Sequence, residues 1–164
     1  TRFQCVILAQ SLPDELRLVI EERQPIALWQ REGSYHLVDQ YGDTMPVANA
    51  ARYAGMLVLT GSEAPAGARS LLDLLALEPA LAERVVAAQR VGARRWNLIL
   101  DNGVDIRLPE EEPAAAWRAL AEMQRAEGLI DRDLVTIDMR VPDRLVVRLS
   151  PEAAELRRTP GDDT

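Results

Sequence analysis

The chain has 164 residues, a formal net charge of −7 and 19 basic residues, all of them arginine. The absence of lysine excludes a phosphate-loop lysine and Schiff-base chemistry, and the acidic balance argues against nucleic-acid binding. With Cys5 and His36 as the single cysteine and histidine, an intramolecular disulfide and zinc sites built on several such ligands are excluded.

The N-terminal part predicts a β-hairpin. Residues 2–10 and 15–22 form two apolar strands, and Pro13 and Asp14 supply the turn between them. In the second strand, apolar residues alternate with charged ones, which indicates a half-buried strand. Because two strands alone are marginal in water, we expect this hairpin to pack on other structure.

The middle of the chain predicts short strands and one amphipathic helix. The apolar pattern places strands at residues 26–29, 36–38 and 57–60. Residues 85–91 fit either a helix or a strand, and their β-branched residues and the hairpin that follows favour a strand. A turn is expected over residues 39–43, and leucines at helical spacing predict a helix around Leu71–Leu75 that ends near Pro79.

The C-terminal part predicts a hairpin, a helix and two further strands. Asn102-Gly103 tolerates the positive φ that a tight turn between strands 96–100 and 104–108 requires. Three glutamates and Pro113 open a helix that Gly128 ends. Strands follow at residues 134–140 and 144–149, and from Ser150 on we expect at most a short helix and then disorder.

The candidate catalytic and ligand sites each have a simpler structural explanation. Glu110–Glu112 with Asp131, Asp133 and Asp138 suggests a cation site, but helix-start and turn chemistry explains these acids better. The segment 61–67 lacks the lysine of a phosphate loop, and we expect Ser62 to cap a helix there. His36 has no nucleophile motif near it and is interpreted as structural.

Two features point to a binding surface. Arg94 and Arg95 form either a cationic lip for an acidic partner or a solvated strand end with one arginine stacked on an aromatic ring. The strand at residues 144–149 is either interior or an edge whose free N–H and C=O groups can pair with another chain.

Several motifs follow one another along the chain: Leu12-Pro13-Asp14, then Leu16, Leu18, Ile20, Glu22, Arg23, Pro25, Ala27 and Trp29; Leu37-Val38-Asp39 with Gly42; Leu57, Leu59 and Gly61; Arg95-Trp96, Leu98, Leu100, Asn102-Gly103 and Leu108-Pro109-Glu110; Ile137-Asp138, Arg140 and Pro142-Asp143. In this order they resemble the FtsQ/DivIB family of bacterial cell-division proteins, and the resemblance covers Leu12 to Leu149.

The resemblance implies an α+β fold: a mainly antiparallel sheet with two principal helices, preceded by the last strands of a POTRA domain. It divides the chain into a POTRA remnant at residues 1–28, a β domain at 29–149 and a flexible tail at 150–164. It also implies a single-pass inner-membrane protein with this region in the periplasm. The anchor is expected ahead of Thr1.

The function that the resemblance implies is a non-enzymatic divisome scaffold for septum assembly, with no cofactor and no metal. The partners implied are FtsB and FtsL, with FtsB adding a strand to the last strand of the sheet. The partner-binding residues implied are Arg94, Arg95, Arg140, Val141, Arg144, Leu145, Val146, Val147, Arg148 and Leu149.

Two other functions remain open on the residues alone. A POTRA-type interaction module for outer-membrane assembly or secretion explains residues 1–28 but not the β domain that follows. A hydrolase with scattered carboxylates requires two acids that converge in a deep pocket.

Overall fold

A computed structural model describes residues 6–12, 15–21, 24–141, 144–151, 153 and 155. The predicted turn residues Pro13 and Asp14 and most of the predicted tail lie outside these ranges. Within them, no helix combines the length and the apolar character needed to cross a membrane.

The strands and helices follow the predicted order, with one added strand and one added short helix. The strands are β1 (Val6–Leu12), β2 (Glu15–Glu21), β3 (Pro25–Arg31), β4 (Ser34–Asp39), β5 (Thr44–Pro46), β6 (Val58–Thr60), β7 (Val85–Val91), β8 (Arg95–Leu100), β9 (Asp105–Arg107), β10 (Leu134–Asp138) and β11 (Val146–Leu149). The helices are α1 (Ala64–Leu75), α2 (Pro79–Ala82) and α3 (Pro113–Glu127), with 3₁₀ turns at Ala50–Tyr53 and Leu129–Asp131.

The described strands form two sheets. β1 and β2 pair antiparallel in one, and the other nine strands have the order β11-β10-β9-β8-β7-β6-β3-β4-β5. In the nine-stranded sheet, β3/β6, β6/β7 and β9/β10 are parallel, and the other pairs are antiparallel. This mixed, mostly antiparallel sheet with its few helices confirms the α+β class.

The larger sheet begins ahead of residue 29, where the sequence analysis starts the second domain. β3 pairs with β4 and β6, so residues 25–28 belong to this sheet. The assignment of residues 1–28 to a POTRA domain remains a prediction.

The helices α1 and α3 cover one face of the sheet, called here the helix face. Their leucines at helical spacing, among them Leu71 and Leu120, are buried against strand residues such as Leu98 and Ile137. The Trp117 ring is fully buried, and its Nε1 donates to the Leu75 carbonyl at 3.4 Å, which ties α3 to α1. The helix from Pro113 to Gly128 is confirmed.

The opposite face divides into two parts. Near β3–β5, Leu28 and Leu37 are buried beneath Tyr53 and Met56, which come from the segment around the first 3₁₀ turn. Toward β8–β11, polar and charged side chains occupy alternate positions instead, because their neighbours along each strand point into the core.

Two glycines let α1 and the loop before it approach the sheet. A Cβ on Gly61, where φ is +101°, would lie 2.5 Å from the Arg90 carbonyl oxygen, and one on Gly67 would lie 3.0 Å from the Trp96 ring. The predicted Ser62 cap is wrong: Glu63 is the cap residue, without a side-chain hydrogen bond. A turn that already starts at the glycine explains this, since the Ala64 N–H donates to the Gly61 carbonyl.

Arg84 joins three segments at the end of the sheet where the Asn102-Gly103 turn lies. Its guanidinium donates to Asp101 at 3.1 Å and to Asp131 at 2.6 Å. Gln124 also donates to Asp131, at 2.6 Å, and Asn102 donates to the Ile130 carbonyl at 2.8 Å. The predicted hairpin turn is therefore confirmed and is bonded to the segment that follows α3.

Candidate functional site

The strand β11 lies at one end of the nine-stranded sheet. It pairs antiparallel with β10 on one side, and no strand in the described ranges pairs with its other side. The strand is shorter than predicted, since it begins at Val146 rather than Arg144. Arg144 instead donates its N–H to the Val141 carbonyl in a turn.

The backbone groups of β11 alternate between β10 and the outer edge. The Ser150 N–H donates to the Asp133 carbonyl at 3.0 Å, on the β10 side. Because strand hydrogen bonding alternates residue by residue, the N–H groups of Arg148 and Val146 also point toward β10. The N–H and C=O groups of Val147 and Leu149 therefore point to the outer edge.

Apolar side chains are exposed on and just before β11. Val146 is 55% exposed and Val147 40%, and Leu145 and Val141 are also exposed. The two valines lie on different faces: Val147 is opposite Ile137 on the helix face, and Val146 is opposite Asp138 on the other face. A partner at this edge can therefore bury apolar surface on both faces of the sheet.

A charge cluster occupies the opposite face beside this edge. The Arg140 guanidinium donates to both Asp138 oxygens, with distances of 2.6–3.1 Å, and Arg107 approaches the same carboxylate at 3.9 Å. Hydrogen bonding from Arg140 lowers the pKa of Asp138 and raises that of Arg140. Arg107 also donates to Asp105 at 2.9 Å. Arg140 thus already has an anionic partner within the chain.

The other predicted arginines lie at the same end of the sheet, but away from β11. Asn97, Arg107, Asp138 and Val146 form one row across four strands, and Arg95 lies two residues beyond Asn97 in the direction of Arg140. β9 and β10 separate β8 from β11, a distance of about 14 Å at the usual strand spacing.

The contacts of Arg94 and Arg95 do not decide between a cationic lip for an acidic partner and a solvated strand end. Arg94 lies 3.7 Å from Glu110, whereas the Arg95 Nε is buried and has no hydrogen-bond partner among the described residues. The arginine stacked on Trp96 is Arg90, whose guanidinium carbon lies 4.9 Å from the ring centroid. The predicted stack concerned Arg94 or Arg95 instead.

Two acids that matter here were not recognised as part of the site. Asp138 was predicted only as a turn residue or a cation ligand, and Asp105 was not singled out. Both stand two residues before an arginine, in Asp105-Ile106-Arg107 and Asp138-Met139-Arg140. In β9 this spacing puts Asp105 and Arg107 on the same face of the strand. At the end of β10 it lets the Arg140 side chain and backbone N–H return to Asp138. The spacing could have identified both contacts.

Two residues of the other candidate sites, His36 and Asp131, make structural contacts. His36 lies against Trp29, with ring centroids 5.5 Å apart. Asp131 is held by Arg84 and Gln124, whose hydrogen bonds lower its pKa. In the ranges that the structure describes, no group of three or more His, Cys, Asp or Glu residues is arranged to hold a metal ion.

A family model described as "Cell division protein FtsQ/DivIB, C-terminal" matches residues 27–140. This match ends just before β11.

Curated relatives named "Cell division protein FtsQ" extend the similarity over most of the chain. The relative from Bradyrhizobium diazoefficiens is 39% identical over 145 residues, covering 88% of this chain and 42% of its own length. The one from Cereibacter sphaeroides is 36% identical over 151 residues, covering 91% and 49%. The chain therefore spans about half the length of these relatives or less.

Among solved structures, the major extracytoplasmic domain of DivIB from Geobacillus stearothermophilus matches with a TM-score of 0.42 and 13% identity. The match covers 66% of this chain and 97% of that one.

Proposed function

This chain belongs to the FtsQ/DivIB family of cell division proteins, and on that basis we propose that it is a non-enzymatic scaffold that binds a partner by strand addition to β11. The partners proposed are the periplasmic segments of FtsB and FtsL. In this proposal the protein is a single-pass inner-membrane protein, held by a helix outside this chain, and it supports septal cell-wall synthesis.

The position of β11 is the observation that carries this proposal. The strand ends the sheet, and the backbone groups of Val147 and Leu149 point away from β10. An added strand gains affinity from main-chain hydrogen bonds, while alternate side chains set its specificity. The exposed valines on both faces supply apolar surface that such a strand would bury.

The cationic residues have different roles in this proposal. Arg140 is engaged by Asp138, so a partner carboxylate must compete with an existing ion pair. Arg95 can contact only a partner that extends across β9 and β10. Because exposed ion pairs contribute about 1 kcal/mol or less each, the arginines tune register and association rate more than affinity.

Amide hydrogen exchange with and without the periplasmic segment of an FtsB-like partner tests the proposal. We expect new protection at the outward-facing amides of Val147 and Leu149, since the inward-facing ones are already bonded to β10. Chemical-shift changes near Arg94 and Arg95 would mark a partner that crosses the sheet. Unchanged exchange throughout β11 in the presence of bound partner would show that the partner binds elsewhere.

A further inference from the structure

The outer strand and the residues just before it carry two exposed arginines. Arg148 lies opposite Thr136, on the face away from the helices, and Arg144 lies four residues earlier, two residues ahead of β11. A pairing that extends β11 to Arg144 would put Arg144 on the same face as Arg148, because residues four apart in a strand share a face. Both side chains are exposed, and neither forms an ion pair with any residue that the structure describes.

Two described acids near these arginines are already paired with other arginines. Asp138, one strand away, accepts hydrogen bonds from Arg140 and lies near Arg107, and Asp105 accepts from Arg107. Among the described residues, neither Arg144 nor Arg148 is paired with an acid, so both present positive charge at the edge of a chain whose formal net charge is −7.

This charge disfavours pairing between two copies of the chain. In an antiparallel pair centred on Val146, Arg148 of each copy is directly opposite Arg144 of the second copy. In a pair centred on Val147, Arg148 lies diagonally between Arg144 and Arg148 of the second copy. Like charges at either spacing repel each other, and charged residues on an outer strand are a common protection against self-pairing.

A strand with the complementary pattern is favoured for the same reason. A carboxylate opposite each arginine requires two acids four residues apart, with an apolar residue between them opposite Val146. The spacing is the same whether the added strand runs parallel or antiparallel to β11. We propose that Arg144 and Arg148 select the strand that pairs with β11, rejecting a second copy and favouring an acid-x-apolar-x-acid segment. This inference rests on the proposed function.

The chain itself supplies the probe for the test. The double variant Arg144→Glu, Arg148→Glu carries two carboxylates four residues apart on the same edge. We expect the unaltered chain and the double variant each to sediment as monomers, since like charges face each other in both. Their mixture should form a 1:1 complex, with an association constant at least about tenfold above either self-association and decreasing as salt is raised.

Two control variants separate this effect from general charge attraction. The variant Arg52→Glu, Arg118→Glu changes the net charge equally at exposed positions away from β11, and its mixture with the unaltered chain should remain monomeric. Adding Val147→Pro to the unaltered chain should abolish the 1:1 complex, because the outward N–H of Val147 is lost. A mixture that stays monomeric, or a complex that forms equally with the Arg52 and Arg118 control, overturns the inference.

Binding of the FtsB-like segment distinguishes a failure of this inference from a failure of the proposed function. If the double variant binds the FtsB-like segment as tightly as the unaltered chain does, the two arginines do not select the partner, although β11 remains the site. If the FtsB-like segment binds neither chain but the 1:1 complex forms, selection stands and the proposed partner is wrong.

Circular dichroism checks that each variant is folded. Should the double variant not fold, the single variant Arg148→Glu replaces it in the test. That variant is expected to self-associate, since the carboxylate introduced at position 148 of one copy would face Arg144 of the other. A single variant that is folded and remains monomeric overturns the inference.

Discussion

At the scale of single residues, Gly61 and Asp138 are constrained for different reasons. Gly61 has a positive φ and lies directly against the Arg90 backbone, where no Cβ fits. Asp138 is constrained differently, because it holds two arginines beside the outer strand. The first residue sets how closely its loop packs on the sheet, whereas the second determines how much charge is neutralised on the face beside β11.

Replacing Gly61 with alanine should destabilise the protein by about 3 kcal/mol, because positive φ and a backbone clash add together. Gly33→Ala is the matched control: φ there is +79° and nothing lies within 4 Å of the added Cβ. We expect that change to cost about 1 kcal/mol from φ alone. Urea unfolding of both variants measures the difference, and equal losses would contradict the close contact at Gly61.

Replacing Asp138 with asparagine should lower stability and raise partner affinity. Loss of the charged hydrogen bonds is expected to cost about 1 kcal/mol in urea unfolding. The freed Arg140 should strengthen binding of an acidic FtsB-like segment about twofold to fivefold in titration calorimetry, the range of one exposed ion pair. Asp133→Asn removes the same charge without freeing Arg140. Weaker binding in the Asp138 variant alone would mean that the bound geometry needs the Asp138–Arg140 pair.

At the scale of elements, the two ends of the sheet differ. β5 has three residues and ends at Pro46, and short strands and proline both limit pairing at an edge. β11 has four residues and no proline, and it exposes apolar side chains on both faces. The β11 end is therefore the better candidate for strand addition.

Proline scanning along β11 should separate its two rows of backbone groups. Val147→Pro removes an outward N–H and should abolish partner binding while changing stability by less than about 1 kcal/mol. Arg148→Pro removes an N–H that points toward β10 and should lower stability by about 1–2 kcal/mol. Thermal unfolding and partner titration measure both effects. Partner affinity unchanged by Val147→Pro would exclude pairing at this edge.

At the scale of the whole molecule, ion pairs join elements that are far apart in the chain. Arg84 bonds Asp101 and Asp131, which connects the start of β7, the β8–β9 turn and the segment after α3. The Asp138 carboxylate similarly joins β10 to Arg107 of β9. Both Asp131 and Asp138 have pKa values lowered by their arginine partners, so folding favours their ionised forms.

Acid should therefore destabilise the fold in a defined range. A pKa lowered by folding contributes stability that is fully present above the ordinary value of 3.8 and is lost as the pH falls toward the lowered value. The unfolding free energy, measured in urea at a series of pH values, should fall below that point. The variant Asp131→Asn, Asp138→Asn should be less stable at neutral pH and show a shallower decline in acid. Parallel pH curves for the two proteins would assign the acid sensitivity to other carboxylates.

Local signals in the sequence were enough to define several elements of this fold. The Asn102-Gly103 turn is predicted by the tolerance of Gly103 for a positive φ. The helix limits are predicted by the residues that favour helix ends, Pro113 at the first position and Gly128 at the C-cap. The apolar pattern of β7 fits either a helix or a strand, and its β-branched residues correctly favoured the strand. The strand β5 was missed because its three residues, Thr44–Pro46, carry no periodic signal of their own.

Contacts between distant segments determined which of the predicted site residues come together. Strand order is set by hydrogen bonds between such segments, and it places β9 and β10 between Arg95 and β11. The same order puts β11 at the end of the sheet, which its place in the chain had suggested without requiring it. Arg140 is paired with Asp138, whereas Arg144 and Arg148 form no ion pair with any residue that the structure describes. The sequence supplied these charges, and pairing across the sheet determined which of them are neutralised.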